Sequence, residues 1–299
     1  MNSWRWTFTP QTGVGRKHMA KNTVLTLAKQ VAEGQKVTMV TSYDYTMASI
    51  VEAAGINMIL VGDSLGMTML GYDDTIPVTM DDMVHHTRAV TRATSDTFVV
   101  GDMPFMSYQL GVEQALANAG RLMKEGGCQA VKLEGGVRCA PQIHAIVEAG
   151  IPVVGHVGMT PQSANSFGGF KVQGKNAENA QRIVDDALAV EEAGAFAVVL
   201  ECVPRDLAEF ITSKLSHCFT IGIGAGAACD GQVLVAQDLL GMTPGGFKPK
   251  FVRQFAQVGD AMRQAYVDYA EAVQSGEFPA FENGFKMDTE VMDQIRRNN

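Results

Sequence analysis

The sequence predicts an α/β fold, a (βα)8 barrel of the TIM type in a single domain, and three observations predict it. First, a phrase recurs from about Val37 onward, in which a helix end is followed by a glycine, a short apolar run and a polar residue. It reads EAAGINMILVGD ending at Asp63, KEGGCQAVKLEGG around Glu134, VEAGIPVVGHVG around His156 and EEAGAFAVVLEC around Glu201. The glycine stands where a helix C-terminus needs a left-handed residue, and the β-branched run has strand length. Second, the stretches between these joints carry helical spacing, as in Val112, Ala115, Leu116, Ala119, Leu122 and Met123, or Ala180, Ile183, Val184, Ala187 and Leu188. Third, strands apolar on both faces that alternate with amphipathic helices make a parallel sheet covered by helices, and eight such runs are the closing number of a barrel.

In order, the runs are Val37 to Thr41, Met58 to Val61, Phe98 to Val100, Ala130 to Leu133, Val153 to Val157, Phe196 to Leu200, Thr220 to Ile223 and Val233 to Ala236. Between the second and third, Thr79-x-x-Asp82 is a capping box that opens a helix. An open doubly wound sheet is the structural rival. Its glycine-rich fingerprint belongs after the first strand, where this chain has TSYDYT.

The 299 residues can fill one large barrel, and 31 glycines, about 10% against an average near 7%, suit many short turns. A net charge of −8 without a basic stripe disfavours a nucleic-acid partner and favours a small molecule. Five cysteines, an odd number without a CxxC pair, argue against a disulfide framework and a thiolate zinc site and for a reducing compartment, here the cytoplasm. No stretch is long and apolar enough for a transmembrane helix, so no membrane partner is expected. Residues 1–21 differ from the rest: Arg5, Arg16, Lys17 and Lys21 are present without an acid, together with Trp4 and Trp6. A transit peptide is basic in this way but also Ser-rich, and only Ser3 is present; the alternatives are a disordered leader or a start misassigned ahead of Met19. The expected division is leader 1–21, catalytic barrel 22–278 and C-terminal tail 279–299.

In a barrel, reactive groups sit where strands end and βα loops begin. Those positions hold Asp44, Asp63, Asp102, Glu134, His156, Glu201 and Asp238. Any one carboxylate there can be a helix cap or a solvated turn. As a set at apolar strand ends they repel one another, and oxygen ligands without thiolates suit a hard ion such as Mg²⁺. Lys132 and Glu134 lie two apart on one strand, so both face the barrel interior or mouth. They form either a buried ion pair or an anion-binding lysine beside a metal ligand. His18, His85, His86, His144 and His217 carry little signal. IGIGAGAACDGQ, residues 221–232, is a weak phosphate-binding signal. The stretch 155–174 is too long for an ordinary βα loop and reads as a mobile lid or a floppy connection.

The phrases TSYDYTMA, LVGDSLGM, TIPVTMDDMVHHTRAV, GDMPFMSY, VKLEGG, GHVGMTPQS, FGGFKVQG, LECVP and IGIGAGAACDGQVLV, in this order over about residues 22–278, resemble the ketopantoate hydroxymethyltransferase family. The resemblance implies a Mg²⁺-binding (βα)8 barrel. It further implies transfer of a one-carbon unit from 5,10-methylenetetrahydrofolate, a co-substrate, to 3-methyl-2-oxobutanoate in pantothenate synthesis, by a homodecamer. It also implies that Asp63 of VGDS and Asp102 of GDMPF are metal ligands that meet the substrate, and that Glu134 of VKLEGG completes the site directly or through water. Ser64 and Lys132 would hold the 2-oxo acid, Glu201 of LECVP would be the general base, and His156 would lie near this site. The nearest rivals are a Mg²⁺-dependent carbon–carbon lyase of the phosphoenolpyruvate mutase/isocitrate lyase type, which lacks its lysine-lysine-cysteine-glycine-histidine loop here, and a Schiff-base aldolase using Lys132. A catalytically dead scaffold would be expected to lose its rim carboxylates first.

Overall fold

A computed structural model describes residues 21–299 except 170, 244, 246 and 247, so the basic leader lies outside the described residues but for Lys21. The chain begins with α1 (Val24–Ala32), β1 (Val37–Thr41), α2 (Tyr45–Ala53), β2 (Met58–Val61), α3 (Leu65–Thr68) and α4 (Met80–Thr91). It continues through β3 (Phe98–Asp102), α5 (Val112–Arg121), β4 (Ala130–Glu134), α6 (Ala140–Glu148), β5 (Val153–Gly158) and α7 (Ala164–Phe167). The last third holds α8 (Ala177–Glu192), β6 (Ala197–Glu201), α9 (Arg205–Lys214), β7 (Phe219–Ile223), β8 (Gly231–Leu234), α10 (Ala236–Leu239), α11 (Val258–Ser275) and α12 (Thr289–Asn298). The eight strands pair in parallel in sequence order, and β8 closes against β1, which makes the expected barrel.

The local signals act as their chemistry dictates. The glycines of the recurring phrase, Gly55, Gly127, Gly150 and Gly194, all take positive φ, between +73° and +95°, which ends each helix and turns the chain into a strand. Thr79 and Asp82 form the reciprocal capping box of α4. Four strands run past the C-terminal ends of their apolar runs, β5 by the single residue Gly158. Asp102, Glu134 and Glu201 are the last residues of β3, β4 and β6 rather than the first residues of loops. β8 starts at Gly231 and not Val233, because Gly231 pairs with Val37 so closely that a Cβ would meet the Val37 carbonyl at 2.7 Å.

Alternation along each strand sorts two cores. Outward residues such as Ile59, Val99, Val131, Leu133 and Val198 pack against the helices, while Met58, Phe98, Val100, Ala130, Val154, Ala197 and Val199 fill the barrel. Leu27 of α1, fully buried, joins the inner cluster with Val24 and Val31 beside it, closing the barrel at the N-terminal ends of its strands. The seam between β8 and β1 is less covered: Thr38 and Gln232, partners in register, are both exposed. No residue of α11 or α12 is buried, although α11 lies within the expected barrel segment. Burial in this chain thus ends near Val252.

At the C-terminal rim β5 and β6 run unusually close. Gly158, at φ +94°, pairs with Glu201, and a Cβ there would stand 2.4 Å from the Glu201 carbonyl oxygen. Gly158→Ala must therefore strain the backbone or part the strands. Chemical denaturation should show a loss of about 1–3 kcal/mol; unchanged stability would mean that the rim is more yielding than this packing implies.

Candidate active site

The period of two places Asp102, Lys132, Glu134, His156 and Glu201 on the same inner face as Val100, Ala130, Val154 and Val199. Register then sets them side by side, since Asp102 pairs with Lys132, Glu134 with His156, and Glu201 with Gly158. Lys132 Nζ donates to both Asp102 oxygens at 2.8 Å and lies 3.9 Å from Glu134 Oε1. His156 stands between two carboxylates, its Nδ1 3.6 Å from Glu134 Oε1 and its Nε2 3.2 Å from Glu201 Oε2. Asp63 follows β2 and donates its backbone N–H to Asp102 Oδ2 at 3.2 Å. Ser64 next to it shares a 2.9 Å hydrogen bond with the hydroxyl of buried Tyr43. All seven site residues expected from the sequence therefore gather at one end of the barrel. The lysine's nearest partner is Asp102 and not Glu134.

Two rim acids do not join them. Asp44 caps α2 by accepting the Met47 N–H, and Asp238 accepts the Thr243 hydroxyl. His86 packs through a 2.7 Å contact to the Tyr43 carbonyl. Two further residues carry no role in the sequence-based expectations. Gln162, in GHVGMTPQS, is 5% exposed and donates its side-chain N–H to Asp63 Oδ2 at 2.8 Å, and its backbone N–H reaches Glu134 Oε2 at 3.1 Å. Tyr108, in GDMPFMSY, gives its hydroxyl proton to Gln162 Oε1 at 2.7 Å. The long loop after β5 is thus anchored at its start by Gln162, and near its end by the Gln173 N–H on the Cys202 carbonyl.

The electrostatics follow from burial. Asp63, Asp102, Lys132, Glu134 and His156 are each 3% exposed or less. Burial, then the charges of Asp102 and Glu134, hold the Asp63 carboxyl well above the usual carboxylate range. Burial raises Asp102 too, against the pull of Lys132. Burial pushes the Lys132 ammonium down, but Asp102, Glu134 and Asp63 outweigh it and the lysine stays protonated. Burial and Lys132 depress the His156 imidazole, and Glu134 and Glu201 more than offset them, so it rises to about 9.

Among the described residues no group of three or more His, Cys, Asp or Glu side chains forms a ready metal-binding set, and Lys132 occupies both Asp102 oxygens. The chemistry nevertheless fits a hard cation. Asp63, Asp102 and Glu134 supply buried oxygen donors, and Glu134 Oε1 has no hydrogen-bond partner.

The raised Asp63 pKa has a consequence for stability. An unfolded chain releases this proton in the ordinary carboxylate range, and the folded chain holds it to higher pH. Folding is therefore free of this charge-burial cost in acid and bears it increasingly as pH rises through that interval. Asp63→Asn should stabilise the EDTA-treated protein at neutral pH by about 1–4 kcal/mol, with the gain disappearing in acid. Denaturant melts at several pH values test this, and a destabilised variant at neutral pH would contradict it.

The profile of the ketopantoate hydroxymethyltransferase family matches residues 21–281. A 3-methyl-2-oxobutanoate hydroxymethyltransferase of Clostridium novyi (strain NT) is 59% identical over 275 residues, 92% of this chain and 99% of that protein. One from Enterococcus faecalis (strain ATCC 700802 / V583) is 56% identical over the same shares. Among solved structures, phosphonopyruvate hydrolase superposes with a TM-score of 0.58 at 13% identity, covering 94% of this chain and 96% of that one. A 2,3-dimethylmalate lyase, a PEP mutase/isocitrate lyase superfamily member, gives 0.55 at 15% identity, covering 92% and 99%. These two share the barrel fold alone, so the lyase reading has no support beyond architecture. The family match over nearly the whole barrel, together with its motif residues gathered at one rim, establishes that this chain belongs to the ketopantoate hydroxymethyltransferase family.

Proposed function

We propose that this chain transfers a hydroxymethyl group from 5,10-methylenetetrahydrofolate to 3-methyl-2-oxobutanoate, giving 2-dehydropantoate in pantothenate biosynthesis. The observation that carries the reading is the inner-face row of Asp102, Lys132, Glu134, His156 and Glu201 in a member of this family. Asp63, Asp102 and Glu134 would hold Mg²⁺, which polarises a 2-oxo acid and stabilises negative charge as its C3 proton leaves. Lys132, protonated and rigidly held, supports the substrate carboxylate together with the Ser64 hydroxyl. An ammonium kept charged by two hydrogen bonds to Asp102 has no lone pair to offer, which disfavours Schiff-base chemistry.

Glu201 is the base in this reading. Its side chain, 13% exposed, ends β6 on the inner face and is the most open of the acids paired here to Lys132 or His156. Its carboxylate takes the C3 proton, and the resulting carbon nucleophile forms the new carbon–carbon bond to the one-carbon unit; both carbon–nitrogen bonds of the methylene bridge break, water supplies the hydroxyl oxygen, and tetrahydrofolate leaves with the C3 proton and one water proton on its two freed nitrogens. His156, 3.2 Å from Glu201 Oε2, orients that carboxylate. We also read the chain as a cytoplasmic homo-oligomer, a decamer by family resemblance. What supports assembly is the apolar surface of α11 and the segment after it, where Tyr266, Tyr269, Phe281 and Phe285 are 58% exposed or more. No helix among the described residues is long and apolar enough to cross a membrane. The division into a leader, a barrel and a tail is kept as part of this proposal.

Three measurements test it. Product formation from both substrates should require Mg²⁺ and stop with EDTA. Glu201→Gln should keep Mg²⁺ and 3-methyl-2-oxobutanoate binding while its exchange of the C3 proton for deuterium in D₂O, followed by NMR, falls about 10²–10⁴-fold; exchange at the wild-type rate would move the base role elsewhere. Light scattering should report a mass well above the 32.1 kDa of one chain, and a monomer would remove the assembly.

A further inference from the structure

We infer that Gln162 is a positioning residue that fixes which oxygens of Asp63 and Glu134 are presented to the metal. The inference rests on the proposed ligand roles of those two acids and concerns a residue that lies on the loop after β5, outside the strand-end set. Gln162 is buried, and its backbone N–H and both side-chain polar atoms have partners. Its Nε2 donates to Asp63 Oδ2 at 2.8 Å and to the Met103 carbonyl at 3.0 Å, and its backbone N–H donates to Glu134 Oε2 at 3.1 Å. Its Oε1 accepts the Tyr108 hydroxyl at 2.7 Å and lies 3.4 Å from Gln109 Nε2. The Tyr108 oxygen in turn accepts the Glu134 N–H at 3.2 Å.

This pattern allows only one amide orientation. Both neighbours of Nε2 are acceptors, and the neighbours of Oε1 are donors, so a flipped amide would set oxygen against a carboxylate and a carbonyl. One oxygen of each acid is thereby committed to a hydrogen bond from Gln162. Asp63 keeps Oδ1, and Glu134 keeps Oε1, which is buried without a hydrogen-bond partner. A neutral donor is what the task requires. A lysine or arginine here would satisfy the charge that attracts a cation, a glutamate would add to the repulsion, and an apolar residue would leave Asp63 Oδ2 buried without a donor. Tyr108 holds the amide from the other side, which joins the loop after β3, the end of β4 and the loop after β5 in one network.

The test is Mg²⁺ titration calorimetry in the presence of 3-methyl-2-oxobutanoate, paired with thermal melting of the metal-free protein, on the full chain, Gln162→Met and Tyr108→Phe. Met keeps length and volume but offers no donor. Gln162→Met should weaken Mg²⁺ binding about 10–100-fold, as loss of a group that orients a ligand does, and Tyr108→Phe should weaken it in the same direction by less. Lower melting temperatures with an unchanged Mg²⁺ Kd in both variants would reduce Gln162 to a packing residue and overturn the inference. If Gln162→Met does not fold, Tyr108→Phe decides alone by the same criterion. Absence of Mg²⁺ binding in the unaltered chain would overturn the metal reading itself, a result separate from unchanged affinity in the variants.

Discussion

One ammonium inside the barrel sets the terms for everything around it. Lys132 projects inward from β4 and is held by Asp102 through both carboxylate oxygens, with Glu134 on its own strand 3.9 Å away and Asp63 close by. A single positive charge cannot balance three buried carboxylates, and in so dry a place the surplus is expensive. The surplus appears in the raised carboxyl groups of Asp63 and Asp102, in the retained proton of His156 and in an orphaned oxygen of Glu134. Crowding buried carboxylates in this way costs stability, which fits the Mg²⁺ role proposed for them.

The barrel makes such a concentration possible because two simple regularities coincide. The pleat sends every second residue inward, and parallel register places strand ends side by side, so residues distant in sequence become neighbours without any special loop. Below the charged row, Val100, Ala130, Val154 and Val199 fill the interior. That apolar floor keeps water from screening the carboxylates from beneath. From the loops after β3 and β5, Tyr108 and Gln162 tie into the row by hydrogen bonds, and five of the site residues are almost completely buried.

The uncovered places have a physical logic as well. The β8–β1 seam exposes Thr38 and Gln232, and α11 carries exposed apolar side chains and no buried residue of its own. A long helix rarely stands in water with aromatic residues outward unless another surface covers them. This is the same barrel economy seen from outside: every other strand is buried on its outer face by helices of its own chain, and the last part of the chain is free to serve elsewhere.

Much of this was written in the linear chain. The helix-glycine-strand phrase marks each joint because only a left-handed glycine ends those helices, and eight apolar runs count out the barrel. Polar residues at the ends of those runs locate Asp63, Asp102, Glu134, His156 and Glu201, since a charge at the end of a buried strand needs a reason to be there. The two-residue spacing of Lys132 and Glu134 shows that they share a face. What the chain alone leaves open is partnership. Asp44 and Asp238 follow the same rim rule yet serve as a cap and a turn, because their own neighbours in sequence satisfy them. Lys132 chooses Asp102, 30 residues away, over Glu134. Gln162 is joined to Asp63 across 99 residues and to Tyr108 across 54. Periodicity and motif read what a residue does along its own strand or helix; a hydrogen bond between loops from different strands depends on barrel closure, and only the tertiary structure decides it.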